Sequence, residues 1–471
     1  MKILLINPPF SKEYSVGSSR SIRYVLNITP PLGLAYLAAT LEKNGFYVKI
    51  IDCTVGISYK ELFKQLIEIK PDVIGVTATT ANLETAKFVA KKIKEFLPYA
   101  ILIIGGAHLT AMPYETMKLG YFDIGVLGEG EVTFLELVNH IQNIGFQKLE
   151  CVNGLIYKKD GIISRTPERE FIKNLDDLPR PARHLLPPLS KYRPTPASYR
   201  RLPLGIIITS RGCPYRCTFC DRSVFGNIYR QRSAEDVLNE LEEVVYKYGA
   251  KEIRFFDDVF TLDRERTLKI CEGFRKRKLK IPWTCLTAVS TVNKELLKEM
   301  KSAGCWQVLY GLESGDSNML RLLKKGNTVE QNIQAVKWAK EGGLSVRADF
   351  IVGTPGETME SLNKTLRFAI DMDLDYAHFN KFVPFPGTEL YGFLTSNGYN
   401  FNFSQGCSIL DHSALLYVPS GVTKNEYRKF LDSAFKKFYL RPNYIIKRLL
   451  SIRTKDELLG QLRGLFAIAG L

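Results

Sequence analysis

Three cysteines fall within eight residues, in the run Arg211-Gly212-Cys213-Pro214-Tyr215-Arg216-Cys217-Thr218-Phe219-Cys220. Thiolates spaced C-x₃-C-x₂-C on one loop can bind three irons of a 4Fe–4S cube. A structural zinc site would take a fourth ligand from a second C-x₂-C or an H-x₃₋₅-H pair. No such pair exists, and the five histidines (His108, His140, His184, His378 and His412) are scattered. The missing fourth ligand is a defect for zinc, whereas for a cluster it leaves one iron open to chemistry. The other six cysteines are isolated and read as small buried apolar residues. An odd total of nine argues against a disulfide framework.

The segments around this loop alternate strand with helix. Strands are predicted at Leu204–Thr209, directly before the cysteines, and at Ile253–Phe256, Trp283–Thr287, Val308–Leu312, Val346–Val352 and Tyr376–Val383. Helical stretches at Ala234–Lys247, Arg264–Lys276, Lys294–Ser302 and Thr328–Glu341 separate them. Six βα repeats between about 203 and 392 are fewer than the eight of a closed barrel. Polar or glycine-rich turns end the strands: Asp257-Asp258, Gly311-Leu312-Glu313-Ser314-Gly315 and Gly353-Thr354-Pro355-Gly356-Glu357.

A second alternating series occupies residues 1–145. Strands at Lys2–Asn7, Tyr47–Asp52, Val73–Thr77, Ala100–Gly105 and Ile124–Leu127 are spaced by helices at Leu32–Asn44, Tyr59–Ile69, Asn82–Phe96 and Val132–Ile141. Such units build a doubly wound parallel sheet, with the ligand beyond the carboxyl ends of the strands. The candidate contacts there are Thr77, Thr79 and Asn82 after one strand, Gly105, Gly106 and His108 after another, and Gly128, Glu129 and Gly130 after a third. Each of these is equally read as an ordinary turn or cap. No G-x-G-x-x-G follows the first strand, which argues against a nicotinamide or flavin dinucleotide.

The chain has 471 residues, 45% hydrophobic and 24% charged, which excludes disorder, collagen and coiled coil and predicts two to four domains. No apolar run approaches the roughly 20 residues of a spanning helix. The opening MKILLINPPF reads as a strand, not a signal peptide, so a cytoplasmic protein is expected. Lys plus Arg is 65 against 49 acids, a net charge of +16, which favours anionic partners without choosing among them. Residues 146–200, with Leu178-Pro179-Arg180-Pro181, read as a Pro-rich connector.

The cysteine loop, with an aromatic (Phe219) just before its last Cys, resembles the radical S-adenosylmethionine signature. The N-terminal NPP, PPLGLAYLAA, Gly-Gly-x-His and Gly-Glu-Gly-Glu segments resemble the cobalamin-binding domain that precedes many such enzymes. The resemblance spans about 1–392 and implies a Rossmann-like domain (1–145), a partial (βα)₆ barrel (201–392) and a basic, mostly helical region (393–471). It further implies three cofactors: a 4Fe–4S cluster on Cys213, Cys217 and Cys220, S-adenosylmethionine and cobalamin. Asp257 and Asp258 would meet the methionine amine or order the substrate side, Glu313 and Ser314 would contact ribose or carboxylate, and Ile351 and Gly353 would flank adenine. The cobalt-ligating D-x-H-x-x-G motif is absent. Its nearest match, Asp52-Cys53-Thr54-Val55-Gly56, has no His, so no imidazole is expected on cobalt from that loop, and His108 becomes a nucleotide-tail contact or a turn residue.

In this family a deoxyadenosyl radical takes hydrogen from an unactivated carbon. The commonest outcome is methylation at carbon or phosphorus, and the alternative is ring formation of the anaerobic cyclase type. A tRNA-modifying methylthiotransferase would need three further cysteines in the N-terminal domain, which has only Cys53, and no nucleic acid is expected. A small-molecule or lipid-like substrate and an electron donor such as flavodoxin or ferredoxin are the implied partners. Between Lys424 and Arg463 stand eleven basic residues and four acids. The helices predicted over Glu426–Leu471 either pack an apolar stripe on the barrel, or rest peripherally on anionic membrane or close over an amphiphilic substrate.

Overall fold

In the computed structural model, residues 1–10, 25–405, 407–409 and 411–470 are described; Leu471, the end of the expected tail helices, lies outside them. The first domain has strands β1 (Lys2–Asn7), β2 (Tyr47–Asp52), β3 (Val73–Thr77), β4 (Ile101–Gly105) and β5 (Ile124–Val126) in one parallel sheet. Helices α1 (Leu32–Lys43), α2 (Tyr59–Ile69), α3 (Leu83–Phe96), α4 (Ala107–Ala111), α5 (Pro113–Lys118) and α6 (Gly130–Ile144) alternate with the strands. Strand interiors such as Ile3-Leu4-Leu5-Ile6 are apolar at every position because both faces are covered. The order is β2-β1-β3-β4-β5, so the chain reverses direction between β1 and β3, where such sheets bind ligands.

Within the expected connector the sheet continues. Strands β6 (Leu155–Lys159) and β7 (Ile162–Arg165) form an antiparallel hairpin added to the β5 edge. The alternation of that hairpin is short and half exposed, which is why its sequence reads as linker. Short 3₁₀ turns then lead on to residue 198.

The second domain opens with β8 (Leu204–Ile207), the ribbon of β9 (Ser210–Arg211) and β10 (Arg230–Gln231), and α7 (Ala234–Glu242). It continues with β11 (Glu252–Phe255), α8 (Arg264–Lys276), β12 (Trp283–Thr287), α9 (Lys294–Ser302), β13 (Cys305–Glu313), α10 (Ser317–Leu322) and α11 (Val329–Glu341). It closes with β14 (Ser345–Val352), α12 (Met359–Asp371), β15 (Tyr376–Lys381) and α13 (Glu389–Ser396). Strands β8 and β11 to β15 form one parallel six-stranded sheet in simple sequential order, the expected half barrel. Its outward side chains (Phe255, Trp283, Tyr310, Phe350, Phe379) pack under the helices, and each such aromatic contributes about 2–3 kcal/mol of burial. The inward positions are the ones left for chemistry.

Three helices end the chain: α14 (Lys424–Tyr439), α15 (Pro442–Ser451) and α16 (Lys455–Ala469). Tyr427, Phe430 and Phe438 of α14 are buried in the barrel's own core. The next two helices span the open side of the half barrel. Near its first strand, Asp456 Oδ2 accepts the Leu202 amide at 2.9 Å, and Arg463 Nη1 donates to the Tyr199 hydroxyl at 3.2 Å. Near its last, Gln461 Nε2 donates to the Tyr376 hydroxyl at 2.7 Å. Packing is therefore observed, while Ile446, Leu450 and Phe466 stay exposed. Among the described residues no helix is long and apolar enough to cross a membrane.

Candidate functional site

The cysteine loop leaves β9 at a position that only glycine fills. Gly212 has φ +81°, and a Cβ there would stand 2.2 Å from the Ile228 carbonyl oxygen. The loop is tied across the mouth of the barrel: the Thr218 amide donates to Leu323 O at 3.0 Å, and Thr218 O accepts the Leu390 amide at 3.0 Å. Arg222 braces it from below through Tyr215 O at 2.8 Å.

All three thiols are free. Cys220 is pushed up to about 12, first by surroundings that keep water from its charge, then by Asp258, Cys217 and Cys213. Asp258 and the other two cysteines thus lie near enough to Cys220 to oppose its charge, and a cationic centre among them would reverse the shift. Among the described residues no three His, Cys, Asp or Glu converge as ligands of a single ion. Facing the same loop, Lys325 Nζ lies 2.9 Å from Glu313 Oε1 and 5.9 Å from the Phe219 ring centre. Burial raises the Glu313 carboxyl against the opposing pull of Lys325. The donor set fits an iron–sulfur cluster with a polar rim.

The strand-end residues divide into open and engaged. Asp258 is open to solvent beside the cysteines. Asp257 is 2% exposed, and its carboxylate accepts the Thr209 amide at 2.8 Å and the Ser210 hydroxyl at 2.7 Å. It holds the strand that feeds the cysteine loop. Ser314 is turned inward, its hydroxyl bonded to Thr365 and to the Asp316 amide. Ile351 packs beside Phe382, Leu394 and Tyr417. Gly353, at φ +90°, lies under Tyr427 of α14, whose hydroxyl donates to Val352 O at 2.7 Å. The amides of Gly353 and Thr354 are taken by Glu357, a carboxyl that burial raises to about 8.

A cavity of about 170 Å³ lies at the carboxyl ends of β1, β3, β4 and β5, against α1, α6 and the start of the cysteine loop. Thr77, Gly105, Gly106, Gly128, Glu129 and Gly130 line it. No atom lies within 3.4 Å of a Cβ built at Gly33, Gly105 or Gly128, so side chains at these positions would fill the cavity. This cradle of bare backbone lets part of a ligand approach the main chain closely at the strand ends. Three of the expected contacts do not line it. Asn82 Oδ1 accepts the Thr79 amide and hydroxyl at 2.7 and 3.0 Å, a capping interaction. The His108 ring is buried, with Nδ1 3.0 Å from the Thr80 hydroxyl, and loss of water holds it down to about 4. The loop where a cobalt-ligating motif would stand is closed: Asp52 binds the Thr54 amide, Asn7 and the Tyr192 hydroxyl.

Glu129 proves to be a link between domains. Its carboxylate is engaged by Arg211 at 2.9 Å, by Arg230 at 2.8 Å and by the Ile172 amide at 2.8 Å, all but closed to water. Arg211 also reaches Glu131 at 2.5 Å. No sequence signal marks Arg211, Lys325 or the inward-facing Arg254, Arg347 and His378, because each acquires its role from a partner distant along the chain.

Two family models match. The one described as the B12 binding domain covers residues 22–138, and the Radical SAM superfamily covers 207–369. An uncharacterized methyltransferase of Pyrococcus horikoshii is 38% identical over 95% of this chain and 94% of its own length. The anaerobic magnesium-protoporphyrin IX monomethyl ester cyclase of Rubrivivax gelatinosus is 29% identical over 94% of this chain and 78% of its own. The radical S-adenosylmethionine methyltransferase TsrM of Kitasatospora setae, solved with cobalamin and a 4Fe–4S cluster, superposes with a TM-score of 0.73 at 18% identity, covering 100% of this chain and 98% of that one. With both domains matched in order and the identity running nearly end to end, this chain belongs to the radical S-adenosylmethionine enzymes that carry a B12-binding domain.

Proposed function

We propose that the protein is a methyltransferase acting on an unactivated carbon or phosphorus centre of a small-molecule substrate. Cys213, Cys217 and Cys220 hold the 4Fe–4S cluster, and the glycine-lined cradle holds cobalamin. When bound, the cluster supplies the electron that cleaves S-adenosylmethionine and cobalamin supplies the methyl group. The chain's own residues position these groups. Asp257 fixes the strand before the cysteines, Lys325 and Glu313 set the charge on their barrel side, and Asp258 offers a free carboxylate to the methionine amine. The supporting observation is the Glu129–Arg211 link, which joins a cradle-lining turn directly to the cysteine loop.

Incubation of the reduced, reconstituted protein with methyl-labelled S-adenosylmethionine and candidate substrates tests this. Label in a product is the expected result; deoxyadenosine formation with an unlabelled, ring-closed product would establish the cyclase alternative. A single-electron donor of the flavodoxin or ferredoxin type completes the scheme. A peripheral contact of the tail with anionic lipid belongs to the same proposal, supported by the exposed Ile446 and Leu450 lying beside Lys447 and Arg453. Co-sedimentation with anionic but not neutral liposomes, reversed by salt, is the expected outcome.

A further inference from the structure

The half barrel encloses a second cavity, of about 400 Å³, bounded by the inward faces of β11, β14 and β15 and by the tail helices. Its two ends differ chemically. Toward the tail the wall is apolar, with Ile445, Leu449, Leu462 and Leu465 facing it, and Leu449 still 62% exposed. Toward the strands it carries Arg254, Arg347, Asp349 and His378.

Charge in that polar group does not balance. Arg347 is 7% exposed and forks Asp349, with both contacts at 3.2 Å; its Nη2 also lies 3.0 Å from His378 Nδ1. Its remaining nitrogen, Nη1, is buried with no partner among the described residues. Burial and the neighbouring Arg347 charge hold His378 down to about 3, so it adds no charge at neutral pH. Arg254 makes no hydrogen bond among the described residues; it stacks 5.0 Å from the Phe256 ring, and its Nε is buried and unpaired. The other acid on its strand, Glu252, is spent on the Arg200 and Arg201 amides and the Trp306 indole, each at 2.8 Å. Arg448, nearer the tail, is answered by Asp375 and Glu457. Two guanidiniums thus share one available carboxylate at the strand end of the cavity, an arrangement that an anion would complete.

We infer that this cavity receives an amphiphilic substrate, with an oxyanion head (carboxylate or phosphate) between Arg254 and Arg347 and an apolar body against the tail helices. The inference rests on the proposed function for the word substrate and on the cavity alone for the ligand class. Guanidinium is suited to this task because its planar fork matches carboxylate and phosphate oxygens. The tail then acts as the wall that closes over the apolar part.

Titration calorimetry on the full chain, reconstituted with cluster and cobalamin, tests the inference. The probes are decyl phosphate, decanoate, decanol, decyltrimethylammonium and inorganic phosphate. Both decyl anions are expected to bind at least about tenfold tighter than decanol or the decyl cation and tighter than inorganic phosphate. Arg254→Gln and Arg347→Gln should each remove most of that preference while leaving decanol affinity unchanged, and Arg254→Lys should retain part of it. Equal affinity for anion, alcohol and cation on the wild-type protein would overturn the inference without any variant. So would an anion preference that survives both Gln substitutions, or inorganic phosphate binding as tightly as decyl phosphate. Binding requires no turnover. Labelled product without anion preference would therefore sink only the ligand class, and anion preference without labelled product only the methyl-transfer reading.

Discussion

Arg211 Nη1 stands 2.9 Å from Glu129 Oε1 across the boundary between the two domains, and both side chains are about 95% buried. Arg211 precedes the first of the three clustered cysteines by two residues, and Glu129 lies in a turn that lines the glycine-rich cavity of the first domain. With Arg211–Glu131 and Arg230–Glu129 beside it, this contact ties the turn to the cysteine loop through buried charge.

Removing one partner of such a buried link leaves the other charge uncompensated. Glu129→Gln should cost about 3–5 kcal/mol of stability, read as a shift in the urea midpoint, and should lower the iron retained after reconstitution. A midpoint unchanged within about 0.5 kcal/mol would show that the contact carries no weight.

The cysteines lie on a loop outside both cores, so their loss should spare the fold. The triple substitution of Cys213, Cys217 and Cys220 by Ala is expected to abolish the visible absorption of the cluster and all deoxyadenosine formation, with little change in thermal midpoint. Cys151→Ala, at an exposed site far along the chain, should leave both intact. Wild-type iron content in the triple variant would remove the assignment.

Gly353 meets two obstacles to a side chain: φ is +90°, and a Cβ would lie 1.9 Å from the Tyr427 hydroxyl oxygen. Gly353→Ala should destabilise by roughly 2 kcal/mol or more through strain and displacement of α14. Gly392, inside α13 with open space around it, supplies the contrast. There the Ala substitution should be neutral or stabilising by up to about 1 kcal/mol.

His378 is held down to about 3, against 6.5 when unfolded. The unfolded chain therefore binds its proton first as pH falls. Stability from this group is complete above pH 6.5 and is lost progressively as pH drops from 6.5 toward 3, by at most about 1.4 kcal/mol per pH unit. Denaturant midpoints measured from pH 7 to pH 4 should fall less steeply in His378→Gln than in the wild-type protein. Identical slopes would count against a neutral, buried imidazole.

Much of this protein was legible in its sequence, because much of it is local. Iron ligation needs three thiols within one loop, so C-x₃-C-x₂-C carries the chemistry by spacing alone. Strands covered on both faces are continuously apolar, and amphipathic helices repeat every 3.6 residues, so the parallel strands of both domains and most of the longer helices between them are legible, while the half-exposed hairpin of β6 and β7 is not. The Gly-rich turns read from the sequence line the cavity at the strand ends, where bare backbone leaves room.

What the sequence could not supply was the identity of partners. Glu129 and Arg211 stand 82 positions apart, and nothing near either residue says that a predicted cofactor contact will be consumed in joining domains. Asp257 and Ser314, at strand ends that suggest ligand binding, have their oxygens satisfied by neighbouring turns. Arg254 and Arg347 lie in strands whose flanking residues are ordinary core. Only closure of the half barrel by the tail puts their unmatched charge inside one cavity, because side-chain burial and charge pairing are properties of the packed chain.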